Sequence, residues 1–200
     1  VMDYTTVARV KEAIRIKENA DDTYLAKLVT AASRYTDKWC AKSQRAADYF
    51  KLEWVADEEC RAQVDQRGMI LAWPRKNVIV SASTMQYRTT PIGEWTDVPA
   101  ERIVVEASGY TVEGWTYIIA KPRTLFVRVT YLGGMAAIVD DVSPDLMEAV
   151  TLLAARMYRE DESGLTDAMG IAELGTLQYT KALPERYVAN VEKYLRPVPY

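Results

Sequence analysis

Two hundred residues, 49% of them apolar and 26% charged, can bury a real core as one large or two small domains. Twenty-five Lys and Arg against 28 Asp and Glu leave a net charge of -3, too balanced for a protein that grips phosphate backbones through a basic surface. Histidine is absent, which removes the commonest general base and metal ligand and every Ser-His-Asp or Cys-His arrangement.

The chain opens with Val1-Met2-Asp3-Tyr4, which lacks the basic-then-apolar pattern of a signal peptide and so predicts no secretion. Thr5 or Thr6 is a fitting N-cap for a short helix with Val7, Val10 and Ile14 on one face, ending near Ile16. Lys17 to Ala20 reads as a connection. Asp21 and Asp22 then cap a second helix and place negative charge at its start. That helix runs to Lys42, about 20 residues or about 30 Å of helical rise. Its apolar positions are Leu25, Leu28, Val29, Ala32, Tyr35, Thr36 and Trp39, the spacing of a one-faced helix, so Tyr35 and Trp39 are expected in a core.

After Ser43 the period falls towards two. Tyr49, Lys51, Glu53 and Val55 alternate with Phe50, Leu52 and Trp54, and Arg61 to Val64 with Met69 to Leu71 continue the pattern around Gly68 as far as Trp73-Pro74. Asn77 to Arg88 is a further strand, and Pro91-Ile92-Gly93 is the turn that sends it back through Glu94 to Val98. Arg102 to Glu106, Trp115 to Ala120 and Leu125 to Leu132 complete the set, the last two joined across Lys121-Pro122-Arg123. The centre therefore reads as an antiparallel sheet or small sandwich, with Trp54 and Trp115 at buried or half-buried positions.

Gly133-Gly134 closes the sheet. Asp140-Asp141-Val142-Ser143-Pro144-Asp145 is a helix start, with serine at the cap, proline at the first helical position and acid in the first turn. Leu146, Val150, Leu153, Ala154 and Met157 form the apolar stripe of that helix, which runs to about Glu160. Its longest apolar stretch, Met147 to Ala155, is far too short and too charged to span a membrane. Leu165 to Thr180, with Gly170 and Gly175, reads as an extended arm or a poorly packed loop. A last helix starts at Leu183-Pro184-Glu185 and carries Tyr187, Val188, Val191, Tyr194 and Leu195 on one side, before Arg196-Pro197-Val198-Pro199-Tyr200 ends it as an extended tail. The fold class is α+β: a helical bundle of N- and C-terminal helices with a central antiparallel β insertion. Its parts are 1–45, bundle; 46–137, insertion; 138–163, bundle; 164–200, arm, last helix and tail.

The chemistry for a catalytic, cofactor or metal site is not evident. Cys40 and Cys60 read as free thiols. Asp140 with Asp141 is explained by helix capping, and Asp57 with Glu58 and Glu59 by a solvated turn. Gly170-Ile171-Ala172-Glu173-Leu174-Gly175 lacks the lysine and hydroxyl of a phosphate loop, having Thr176-Leu177 instead. Tyr194 and Tyr200 differ from the other aromatics, because they sit at a tapering, proline-rich end with little left to pack against in the same molecule.

The order of these features resembles a known family. Val10-Lys11-Glu12-Ala13-Ile14-Arg15-Ile16, the acidic break at Asp21-Asp22, and Leu25 to Tyr35 look like the opening of the head-tail connector, or adaptor, proteins of tailed bacteriophages. Val142 to Leu146 followed by Ala149 to Tyr158 is similar to that family's late helix, which begins after proline and acid and ends in an aromatic followed by Arg-Glu. Trp73-Pro74-Arg75 and Gly133-Gly134 resemble landmarks of its long, β-inserted members. The resemblance implies a structural virion protein, made in the host cytoplasm and placed at the neck. It would form a ring of twelve copies under the portal protein, extend the channel through which genomic DNA passes without tight binding, and carry the next neck or tail protein. No cofactor and no membrane are implied. The portal would be bound by Tyr194, Leu195, Arg196, Pro197, Val198, Pro199 and Tyr200. Two other readings stand beside it: another neck component, such as a stopper or tail-completion protein, and a carboxylate-based hydrolase with an aromatic groove.

Overall fold

The computed structural model describes residues 2–41, 48–76, 78–109, 111–116, 125–163, 170–171, 175–176 and 183–195. The chain divides into a helical unit, residues 1–40 with 142–195, and a β unit centred on residues 41–141.

In the helical unit, α1 (Val7–Ile14) starts as expected at Thr6, whose hydroxyl accepts the Arg9 N–H. It stops at Arg15, which takes the left-handed conformation (φ 64°) while Ile16 N–H reaches back to the Lys11 carbonyl. The second helix, α2 (Asp22–Ala41), buries Leu25, Val29, Ala32, Thr36 and Cys40. That stripe advances by four, three, four and four residues, so it passes one position away from Tyr35 and Trp39. Those two rings are partly exposed and stack on each other with centroids 6.2 Å apart, in contrast to the core placement expected of them. The third helix, α3 (Pro144–Ser163), begins at the expected proline and buries Leu146, Ala149, Val150, Leu153, Ala154 and Tyr158. It touches α1 and α4 (Glu185–Glu192), which buries Tyr187 and Val191. On the other side of α4, Tyr187 meets Tyr35, and its hydroxyl lies 3.1 Å from that of Thr36 in α2. Between α2 and α3, Tyr158 donates to Asp21 and its ring meets that of Tyr24 at 6.2 Å.

Leu153, buried to 3% exposure, is the test of this core. Leu153→Ala should cost about 2–5 kcal/mol by lost transfer energy and the cavity left behind. Circular dichroism during urea unfolding measures it, and unchanged stability would remove Leu153 from the core.

The segment before α1 is tied down by polar bonds. Tyr4 is fully buried; its N–H donates to Ser33 Oγ at 3.1 Å and its hydroxyl to Asp37 at 2.5 Å. Asp37 is also fully buried and pairs with Arg34 at 2.8 Å, one turn earlier on α2. The Arg34 guanidinium reaches the Met2 carbonyl, Thr30 donates to Asp3, and Thr5 meets Thr151 of α3 at 2.6 Å.

The β unit is a seven-stranded antiparallel sheet in the order β4-β3-β7-β1-β2-β6-β5. The strands are β1 (Glu53–Val64), β2 (Met69–Trp73), β3 (Ile79–Arg88), β4 (Thr96–Asp97), β5 (Ile103–Val105), β6 (Val112–Trp115) and β7 (Phe126–Gly133). Instead of a sandwich, this one sheet curls until β3 touches β5, with Ile79 N–H donating to the Gly109 carbonyl at 2.7 Å. Ile70, Ala72, Ile79, Met85, Val98, Val112, Val127, Val129 and Tyr131 fill the inside of the curl. Gly114 packs against this core, and a Cβ there would fall 2.2 Å from Met85 Sδ. The long β1 is shared: its first half pairs with β7 and its second half with β2.

The acidic run Asp57-Glu58-Glu59 lies inside β1 and is not a turn. The strand absorbs it by a bulge between Val55 and Glu58, with Asp57 at φ 48°. The bulge lets Glu58 accept from the Tyr131 hydroxyl at 2.7 Å and from the Arg75 N–H at 2.9 Å. The expected strands at 77–88, 102–106 and 125–132 are present as β3, β5 and β7; Trp115 ends β6 instead of opening it, and 117–124 lie outside the described residues. Gly170–Ile171 (β8) pairs antiparallel with Gly175–Thr176 (β9) within the expected arm.

Candidate functional site

Among the described residues, no group of three or more Cys, Asp or Glu side chains could hold a metal ion. Cys40 and Cys60 are free thiols. Burial, helped by the neighbouring Asp37 charge, pushes the Cys40 thiol up to about 12, so it is inert at neutral pH. Glu58 is committed to Tyr131, whose hydroxyl is pushed above the ordinary tyrosine range by burial and then by that carboxylate. Asp140 and Asp141 lie exposed in a 3-10 turn ahead of α3.

A buried lysine performs structural work in the β unit. Lys76 donates to the carbonyls of Asp48 (2.5 Å) and Lys51 (3.1 Å) and to Glu53 (2.7 Å), using all three ammonium protons. Desolvation would raise the Glu53 pKa, but the ammonium groups of Lys51 and Lys76 outweigh it and hold the carboxyl below its usual range. The residues entering β1 are thereby fixed to the start of β3. Beside them, Met135 N–H donates to Phe50 O at 2.7 Å and Leu52 N–H to Ala136 O at 2.7 Å.

Of the residues expected to bind a partner, Tyr194 and Leu195 are described and 196–200 lie outside the described residues. Tyr194 is not at a loose end. It is 7% exposed, and its hydroxyl lies 2.5 Å from Ser143 Oγ at the start of α3. The serine expected to cap α3 through its side chain thus spends that hydroxyl on a residue 51 positions away. Lys193, next to it, contacts Asp145, which raises the lysine pKa.

The β unit displays surfaces that the sequence reading passed over. Trp54, expected at a buried or half-buried strand position, is 58% exposed on the outer face. The expected turn 91–93 presents Ile92 at 96% exposure. Its base is tied to the sheet: the guanidinium groups of Arg88 (4.4 Å) and Arg128 (4.5 Å) both lie over the Trp95 ring. Gln86 joins that clamp, donating to Asp97 at 2.5 Å and accepting from Arg128. The available signal in the sequence was an isoleucine at the centre of a Pro-X-Gly turn, where exposure has no intramolecular reward.

No family model matches the sequence, and no curated protein matches it. The structure, however, is similar along its whole length to chains of a phage-like particle. One is a chain from the neck of an empty gene transfer agent particle computed with C6 symmetry: TM-score 0.55, 18% identity, covering 98% of this chain and 92% of that one. A chain of the native gene transfer agent virion gives a TM-score of 0.56 at 18% identity, with coverage of 98% and 92%. A chain of the native neck computed with C12 symmetry gives 0.52 at 16% identity, with coverage of 99% and 96%. At these identities the likeness is one of fold.

Proposed function

We propose that this chain is a structural protein of the neck of a phage-like particle, resident in the virion at the junction of head and tail. The observation that carries this reading is coverage. The structural likeness takes in 98–99% of this chain and 92–96% of the neck and virion chains, so it spans both the helical and the β unit of this chain. The absence of imidazole and the structural engagement of Glu58 favour a structural over a catalytic role. Among the described residues, no helix is long and apolar enough to cross a membrane.

The finer reading is an adaptor. In it the helical unit, α4 included, is the bundle and the β unit is its insertion. Twelve copies form a ring under the portal protein, lengthen the DNA channel and carry the next neck or tail component. A net charge of -3 suits a channel wall that genomic DNA slides past without adhering. The two neck particles to which the fold is similar were computed with sixfold and twelvefold symmetry, in keeping with a ring.

The portal contact in this reading is the tail from Leu195 to Tyr200, with Arg196 for an acidic surface and Tyr200 for an apolar pocket. Tyr194 serves it as a root, since its hydroxyl is held by Ser143 one residue before Leu195. Two prolines, Pro197 and Pro199, limit the entropy lost on docking. Negative-stain imaging of the purified chain, alone and with its cognate portal, tests the ring; a ring with a central channel is expected. A chain truncated after Tyr194 should keep its circular dichroism spectrum and lose portal binding by at least about tenfold, and undiminished binding would remove the tail from the interface.

A further inference from the structure

The buried stripe of α2 has an apolar neighbour on the open side of the helix. Tyr24, Leu28, Ala31, Tyr35 and Trp39 advance by four, three, four and four residues, the step that sets one continuous line along a helix. Leu28 is buried, Ala31 is exposed, and the three aromatic residues are between 37% and 39% exposed. Lys27 and Lys38, both exposed, border the line, and no charged residue falls within it.

This line is flanked by the two segments that lead into the arm. The Tyr24 hydroxyl donates to Asp161, two residues before α3 ends at Ser163, and its ring meets that of Tyr158. Further along, Tyr35 meets the ring of Tyr187, in the first turn of α4, at 6.5 Å. Residues 164–182 therefore depart beside Tyr24 and return beside Tyr35, about 16 Å away by helical rise. Fully extended, such a stretch reaches about 60 Å, far more than the span requires. Part of the excess is folded back: β8 pairs antiparallel with β9, Gly170 opposite Thr176 and Ile171 opposite Gly175. Around those pairs the sequence alternates. Met169, Ile171, Leu177 and Tyr179 are apolar, and Ala168, Gly170, Thr176 and Gln178 beside them are small or polar. A two-stranded hairpin is marginal in water by itself and needs an apolar surface to rest on.

We infer that the arm, residues 164–182, lies along the open stripe of α2 in its own chain and covers Ala31 and Tyr35. The tether selects this occupant over a second copy. Both ends of the arm are held beside the stripe, which places it there at an effective concentration on the order of millimolar, and any other molecule must displace it. The contact requires neither the ring nor the portal.

Hydrogen exchange of the purified full chain, followed by mass spectrometry, tests it. Amides of 164–182 should exchange at least about tenfold more slowly than in a free peptide of the same sequence, whatever the protein concentration. Ala31→Glu, a change at an exposed position, should abolish that protection while α2 and α3 keep theirs. Independently, in a Cys60→Ser background, Ala31→Cys with Leu177→Cys should oxidise to a disulfide within one chain, seen on a non-reducing gel as a monomer of altered mobility; if Ala31→Glu unfolds α2, this cross-link decides alone. Free-peptide exchange in the parent, or protection that survives Ala31→Glu with α2 intact, would overturn the contact. So would the absence of a disulfide. Protection that grows with protein concentration, or cross-linked dimers in place of the monomer, would assign the stripe to a second copy and overturn it as well.

Discussion

Asp37→Ala is expected to destabilise the helical unit by about 3–5 kcal/mol, the range for removing one partner of a buried ion pair. Asp37 is fully buried, and two groups converge on its carboxylate: the Arg34 guanidinium and the Tyr4 hydroxyl. Truncation strands the Arg34 charge in a site where it is only 19% exposed and leaves the Tyr4 hydroxyl without this acceptor. The loss should be visible as a lowered midpoint of ellipticity at 222 nm in urea. Removing the charge on both sides, Arg34→Ala with Asp37→Ala, should cost less than the sum of the single changes, because each no longer strands the other. A loss below about 1 kcal/mol for Asp37→Ala would mean that water reaches the pair, against the burial described.

Gly134→Ala is expected to be the most damaging small substitution in the β unit. Gly134 has φ 114°, in the region side chains rarely adopt, and a Cβ there would lie 2.0 Å from the Lys51 carbonyl oxygen and 2.6 Å from the Leu52 nitrogen. These are backbone atoms held in place by the Phe50–Met135 and Leu52–Ala136 hydrogen bonds and by Lys76, so the clash cannot be relieved by turning a side chain. The loss should exceed about 4 kcal/mol, which places it among the exceptional single changes. Four of the five tryptophans, at 54, 73, 95 and 115, lie in this unit, so unfolding followed by tryptophan fluorescence reports it. Gly93→Ala is the control. Its nearest obstacle is the Thr90 hydroxyl, a side chain that can rotate, and its cost should stay within about 1 kcal/mol.

Local signals carried most of the element pattern. Thr6 capped α1 and Pro144 opened α3 because capping chemistry acts within one turn and is written in adjacent residues. Where the outcome depended on a distant partner, the sequence could not be read alone. Asp57-Glu58-Glu59 looks like a solvated turn until Tyr131, 73 residues from Glu58, supplies the hydroxyl that draws the carboxylate inward. Tyr194 looks like a free end until Ser143 meets it. Trp39 and Tyr35 satisfied an apolar period, but a helical stripe is narrow, and one position of drift carried them to its margin. The curl of the sheet was likewise illegible, since the contact of β3 with β5 is set by twist and by inner packing, not by alternation.

The order of the two units along the chain has a consequence for synthesis. The seven strands of the β unit are written in one stretch, Glu53 to Gly133, and the sheet is complete when Gly133 has been made. The helical unit is written in two pieces, and the bond between Thr5 and Thr151 closes a loop of 146 residues. On a ribosome the N-terminal segment, with Tyr4 and its polar anchors, therefore waits while the whole sheet is translated. The β unit is the part of this molecule that can fold first during elongation; the helical unit closes only once α3 and α4 have been made.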